Sequence, residues 1–137
     1  MNIAPSEPAR TRSRGASWLV WLSLVVGFWL LVWSLAEVPR VRSHSMEPTL
    51  RPGEFFLLWK VAYWWRRPQE GELVVIRCPW TEKRLVKRLV AAPPGRTVPE
   101  DHVWVEGDNA ARSVDSRHFG PIPTRSILGR AVRLRGG

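Results

Sequence analysis

An uncharged run of membrane length, WLVWLSLVVGFWLLVWSLA at residues 18–36, constrains this chain more than any other feature. As a helix rising about 1.5 Å per residue it spans roughly 28 Å, close to the hydrocarbon thickness of a bilayer. Trp18, Trp21, Trp29 and Trp33 lie toward its two ends, where aromatic rings favour the interface. A cleaved secretion signal is the competing reading, because Arg10, Arg12 and Arg14 precede the run and Ser34-Leu35-Ala36 has a small-x-small pattern. The run is longer than the usual h-region of about 7–15 residues, which favours a retained anchor. Arginines flank both ends, but Arg40, Arg42 and Arg51 belong to the domain that follows. Long domains weigh less than short tails in the positive-inside rule, so the N-terminus is expected in the cytoplasm and the domain outside. The expected organisation is a tail at 1–17, with Met1–Arg14 disordered, a transmembrane helix at 18–36, and an extracytoplasmic domain at 37–137.

The formal charge of +9 raises the possibility of nucleic acid. The basic residues are spread along the domain, however, with no run longer than Arg66-Arg67. A domain beside anionic headgroups accounts for the same excess, so membrane lipid is the expected partner and nucleic acid is not. Cys78 is the sole cysteine, which precludes an internal disulfide, and no Cys/His cluster suggests a metal. No cofactor is expected.

Short apolar runs alternate with turn residues after the helix. Strands are predicted at Phe55–Lys60, Glu72–Ile76, Arg84–Val90, Val103–Glu106 and Ile127–Leu134, separated by Pro52-Gly53, Gly71, Pro93-Pro94-Gly95 and Gly107-Asp108-Asn109. The fold class is therefore mainly β, a compact antiparallel domain behind one helix. Val61, Tyr63, Trp64 and Trp65 form with Trp59 a second aromatic cluster, either core or an apolar shelf at the membrane interface.

Beyond the helix, Ser43-His44-Ser45-Met46-Glu47-Pro48-Thr49-Leu50 places two hydroxyls one residue apart, followed by a proline. A serine nucleophile needs a base to take its proton. His44 is adjacent to Ser45, but neighbouring side chains in an extended segment point to opposite faces. His102 falls in a polar turn and His118 in a loop, and each reads as a surface histidine. Lysine serves as base if burial keeps it neutral. The chain has 18 arginines and three lysines, Lys60, Lys83 and Lys87. Lys83 sits in a polar connection, and Lys60 shares a face with Phe56 and Leu58. Strand alternation puts Lys87 on one face with Leu85 and Leu89, an environment that can strip its proton. A lysine snorkelling to water along its stem fits that pattern too. Residues 107–120 then present Ser113, Asp115 and Arg117 at alternate positions, on one side of the segment if it is extended. Asp115 and Arg117 read as a loop staple.

Together these segments resemble the type I signal peptidases, membrane-bound Ser/Lys endopeptidases. Ser43–Leu50 matches the S-x-S-M-x-P-T-L box, Gly71–Ile76 the G-D-I-V-V strand, Lys87-Arg88 the Lys-Arg box, and Gly107–Gly120 the G-D-N…S-x-D-S-R…G box, in order. The resemblance implies that Ser45 is the nucleophile and Lys87 the general base. The Ser43 hydroxyl and the Ser45 backbone N–H would form the oxyanion hole. Ser113 would orient the lysine amine, with Gly107, Asp108, Asp115 and Arg117 structural near the site. Leu50, Val75 and Val86 would line shallow pockets for small side chains. The implied substrates are signal peptides of exported preproteins.

Four departures stand out. Glu72 replaces the usual Asp, and Ala91-Ala92-Pro93-Pro94-Gly95-Arg96 replaces a segment closer to G-L-P-G-D. His44 sets a bulky ring beside the nucleophile. The short span from Lys87 to Gly107 leaves no room for the inserted subdomain of some members. A processing peptidase with few substrates, or a non-catalytic binding protein of the same fold, are the alternatives.

Overall fold

A computed structural model describes Met1 and residues 17–134. The tail expected over 1–17 falls almost entirely outside them. The chain divides into two compact units, Met1–Val32 and Trp33–Gly137. Helix α1, Ser17–Leu35, has no buried residue, and its apolar side chains are exposed all round. A helix that is long, uncharged and apolar on every side has the character a bilayer span requires.

The second unit is built on a seven-stranded antiparallel sheet, as the mainly β reading expects. Its strands are β1 (Ala36–Glu37), β2 (Phe56–Trp59), β3 (Leu73–Arg77), β4 (Arg84–Val90), β5 (His102–Glu106), β6 (Ile122–Pro123) and β7 (Ile127–Arg133). They lie in the order β1-β2-β7-β3-β4-β5-β6. The predicted β4 has the observed bounds, and the other four predicted strands are found with shifted ends. The run at 55–60 shortens to β2 because Phe55 makes only an isolated bridge, to Arg40, and Lys60 begins a turn. The two-residue strands β1 and β6 were not foreseen, since two residues cannot display a period of two.

Strand β3 sits inside the sheet and is buried on both faces. Val75 packs with Val41, Met46, Leu50, Phe56, Leu58 and Ala131. Val74 and Ile76 join Leu89, Val105 and Ile122 on the other side. Burying apolar surface at about 25 cal/mol per Å² is the main stabilising term for such layers. The register pairs Val74 with Lys87 and Ile76 with Leu85, so Lys87 shares a face with Leu85 and the second cluster.

The aromatic loop after β2 divides its residues. Val61 is buried and Tyr63 packs against the second cluster, whereas Trp59, Trp64 and Trp65 are exposed. The loop is fastened by Glu72, which accepts hydrogen bonds from Tyr63 Oη (3.1 Å), Arg66 Nη2 (2.6 Å) and the Gln69 N–H (3.0 Å). Burial raises the Glu72 pKa, but these donors outweigh it and hold the carboxyl at about 2.

Candidate active site

The turn carrying the paired serines is anchored by two apolar side chains. Met46 and Leu50 are fully buried in the cluster around Val75, and the Leu50 N–H bonds the Met46 carbonyl at 2.9 Å. Between the pinned Met46 and the exposed Ser43, Ser45 is buried, with its Oγ 3.1 Å from Ser43 Oγ. The His44 ring turns to Glu47, Nδ1 to Oε1 3.1 Å. His102 opens β5 half-buried, rather than lying in a surface turn, and its buried Nδ1 has no hydrogen-bond partner among the described residues. His118 is at the first turn of α2 (Ser116–Phe119), where Nδ1 accepts from the Asp115 N–H at 3.4 Å.

Of the three lysines, Lys87 alone is buried. Lys83 is exposed and Lys60 pairs with Glu37 at 2.5 Å. Lys87 is 2% exposed, so the snorkelling alternative does not apply. Its Nζ donates to Ser113 Oγ at 2.8 Å, and Ser113 Oγ donates to Asp115 Oδ2 at 2.6 Å. Burial disfavours the ammonium and lowers the Lys87 pKa below its usual 10.5. The Asp115 charge opposes the shift and the Arg117 charge adds to it.

Asp115 is wholly buried and its pKa is nevertheless held well below the carboxylate range. Burial pushes the other way, but Arg117, the Gly107 N–H and Ser113 all donate to it. The Arg117 contacts are Nε to Oδ1 at 2.9 Å and Nη2 to Oδ2 at 2.6 Å, and Gly107 N lies 2.8 Å from Oδ2. The extended segment expected over 113–117 therefore holds only in part. Asp115 is the N-cap of α2, and Arg117, in its first turn, folds back onto it. A capping aspartate starts a helix because its carboxylate satisfies N–H groups that have no partner in the first turn.

Two further contacts join the segments. The Ser45 carbonyl accepts from the Asn109 N–H at 2.9 Å. Gly107 packs so closely that a Cβ there would lie 2.6 Å from the Ser45 carbonyl oxygen and overlap Ser113 Oγ. Only glycine lets the serine turn and the lysine's partner approach through that point. Asp108 is clamped by Arg88 Nε (2.8 Å) and Nη2 (2.7 Å) and accepts from Thr49 Oγ1 at 2.5 Å, while Arg88 Nη1 bonds the Gly71 carbonyl at 2.7 Å. The parts played by Arg88 and Thr49 were missed in the sequence, although both lie inside the quoted boxes.

Beside Ser43 runs a groove of about 700 Å³. Met46, Phe56, Leu58, Val75 and Val86 contribute apolar lining. Leu50 is in the core cluster beneath, with Val75 and Met46, and is not part of that lining. The ladder of β4 with β5 covers Arg88–Val90, leaving the same edge at Arg84–Val86 without a strand partner among the described residues. That edge is open to an added strand.

A family model and several known proteins match most of the chain. The family described as signal peptidase, peptidase S26, matches residues 15–98 and 94–134. Mitochondrial inner membrane protease subunit 2 of Schizosaccharomyces pombe is 33% identical, covering 73% of this chain and 64% of its own. Mitochondrial ATP-independent inner membrane protease subunit 1a of Arabidopsis thaliana is 34% identical, covering 72% and 69%. The probable signal peptidase I-2 of Synechocystis is 31% identical, covering 71% and 62%. The chain thus spans about two thirds of the length of these relatives.

Proposed function

From the premise that this chain belongs to the signal peptidase family, peptidase S26, we propose that it is a membrane-anchored serine endopeptidase working through a Ser45/Lys87 dyad. The observation that carries this reading is the buried Lys87, its pKa lowered and its amine fixed on Ser113.

An extended substrate adds to the open edge of β4, with small side chains seated against Val75 and Val86. Neutral Lys87 takes the Ser45 proton as Oγ attacks the scissile carbonyl. The tetrahedral oxyanion is met by the Ser43 hydroxyl and the Ser45 N–H, each such donor contributing about 3–4 kcal/mol. The position of Ser43 Oγ beside Ser45 Oγ supports that assignment. The C–N bond breaks, and the Lys87 ammonium gives its proton to the leaving amine. Water, deprotonated by Lys87, then hydrolyses the Ser45 ester and frees the enzyme.

The substrates would be signal peptides of exported preproteins cut after small-x-small sites. The domain at 37–137 would lie outside the cell membrane beside lipid, with the tail at 1–17 in the cytoplasm and residues 18–36 as the single span. A second version of this reading, beside relatives named as inner membrane protease subunits, is a Ser/Lys processing peptidase with a narrow set of substrates. A panel of preproteins separates the two. The test of the dyad is preprotein cleavage by Ser45→Ala and Lys87→Ala variants in lipid or detergent. Both are expected to be inactive, and normal cleavage by either sinks the assignment.

A further inference from the structure

The groove beside Ser43 has a polarity of charge as well as an apolar floor. Arg40, Arg42, Lys83 and Arg84 contribute to its lining, and no aspartate or glutamate does. Two of the four are engaged. Arg84 pairs with Glu37 at 2.8 Å, and Arg40 bonds the Gly53 carbonyl at 3.1 Å with its guanidinium 5.8 Å from the Phe55 ring centroid. Arg42 and Lys83 are exposed and have no acidic partner among the described residues. The groove therefore presents uncompensated positive charge, Arg42 adjoining Ser43 and Lys83 lying four residues before Lys87.

The distance along the strand locates that charge relative to a substrate. Lys83 precedes Lys87 by four residues, or about 13 Å at about 3.3 Å per residue. The pockets at Val75 and Val86 put the upstream part of the substrate on this side. A substrate extended along the open β4 edge, with the residue before the cut level with Lys87, brings its fourth and fifth upstream residues to Arg84 and Lys83.

We propose that Lys83, with the charge of Arg42 adding to the field of the same groove, makes it select substrates with a carboxylate about four to five residues before the cut. The inference rests on the peptidase reading above and adds a substrate class to it. Charges this exposed act through screened Coulomb attraction, so the selectivity fades with salt.

The test uses the full chain in nonionic detergent and three peptides alike except at the fourth and fifth upstream residues. All carry alanine at the first and third upstream positions, and the variable pair is Glu, Gln or Lys. The expected order of kcat/KM is Glu above Gln above Lys, about tenfold between the extremes at low ionic strength. In about 1 M salt, where the Debye length is about 3 Å, the ratio is expected to shrink to about twofold. The double variant Arg42→Gln/Lys83→Gln is expected to lose the low-salt ratio. That ratio is internal to each preparation, so a partial folding loss cancels. If the double variant does not fold, the salt series on the unaltered chain carries the test. Equal rates for the three peptides at low salt, or a ratio that survives in the double variant, overturn the inference alone. Failure to cut any of the three overturns the peptidase reading and this inference with it.

Discussion

Ser113→Ala is the perturbation that most directly probes the lysine's environment. Ser113 Oγ is the acceptor for Lys87 Nζ at 2.8 Å and the donor to Asp115 Oδ2 at 2.6 Å, and all three residues are buried. Removing the oxygen deletes both bonds at once. A buried polar group that loses its partner costs about 1–3 kcal/mol, so stability is expected to fall by that amount. Asp115 keeps Arg117 and the Gly107 N–H, which limits the loss. Lys87 loses the contact that aims its amine. General base catalysis contributes about 10²–10⁴-fold, and a base present but misdirected is expected to forfeit the lower end, about 10² in kcat. That is about 2.7 kcal/mol of barrier at 1.36 kcal/mol per decade. Ser113 is not in the groove lining, so KM is expected to stay within about twofold. The assay is steady-state cleavage of a quenched peptide, run well below the variant's own melting temperature. A kcat within about threefold of the parent chain, in a variant whose stability has dropped, refutes an orienting role.

Two further outcomes follow from the same geometry. Burial lowers the Lys87 pKa, so the unfolded chain binds that proton more tightly. Stability should then rise with pH from the folded-state pKa toward 10.5, whereas activity should rise through the folded-state pKa and level off above it. Lys87→Met should abolish cleavage, remove that slope, and near neutral pH gain about 1 kcal/mol, roughly 4–8 °C in Tm, whereas a lower Tm contradicts a desolvated lysine. Arg88→Met breaks the partly buried clamp on Asp108, which is also tied to Thr49. Partial exposure reduces the cost to about 2 kcal/mol, measured as a shift of the urea midpoint at constant m, and no shift counts against the clamp.

The fold class was legible because apolar runs separated by turn residues repeat along residues 55–134. The bounds of β4 were legible because its alternation is unbroken across Arg84–Val90. Strands β1 and β6 were not, because pairing partners rather than local pattern create them. At the site, Lys87 could be singled out by its scarcity and its leucine flanks. The helical return of Arg117 could not, because the segment was read with a period of two and Asp115 was not recognised as a cap. The link of Arg88 and Thr49 to Asp108 is a contact across 20 and 59 residues, and no local pattern encodes it.

The arrangement resolves a conflict that the sequence alone leaves standing. Lys87 must be neutral to act as a base, yet an aspartate lies one hydroxyl away from its amine. An unpaired carboxylate there would stabilise the ammonium, and at short range in a buried site that attraction would offset the desolvation. Arg117 reduces the conflict, and burial does the rest. The arginine neutralises Asp115 through two side-chain bonds, and its own charge disfavours a second cation nearby. Asp115 can therefore accept the Ser113 proton, which leaves the Ser113 lone pairs to the lysine, without fixing the lysine's charge. The helix cap, which in isolation looks like a loop staple, belongs to the electrostatics of Lys87, the proposed base. The third cationic residue near the site, Arg88, is kept out of that field by its own acid, Asp108, which accepts both Nε and Nη2. Adjacent residues of one strand thus carry opposite duties. Lys87 faces the apolar layer with its amine on Ser113, while Arg88 remains charged and ties the serine turn to the glycine-rich bend.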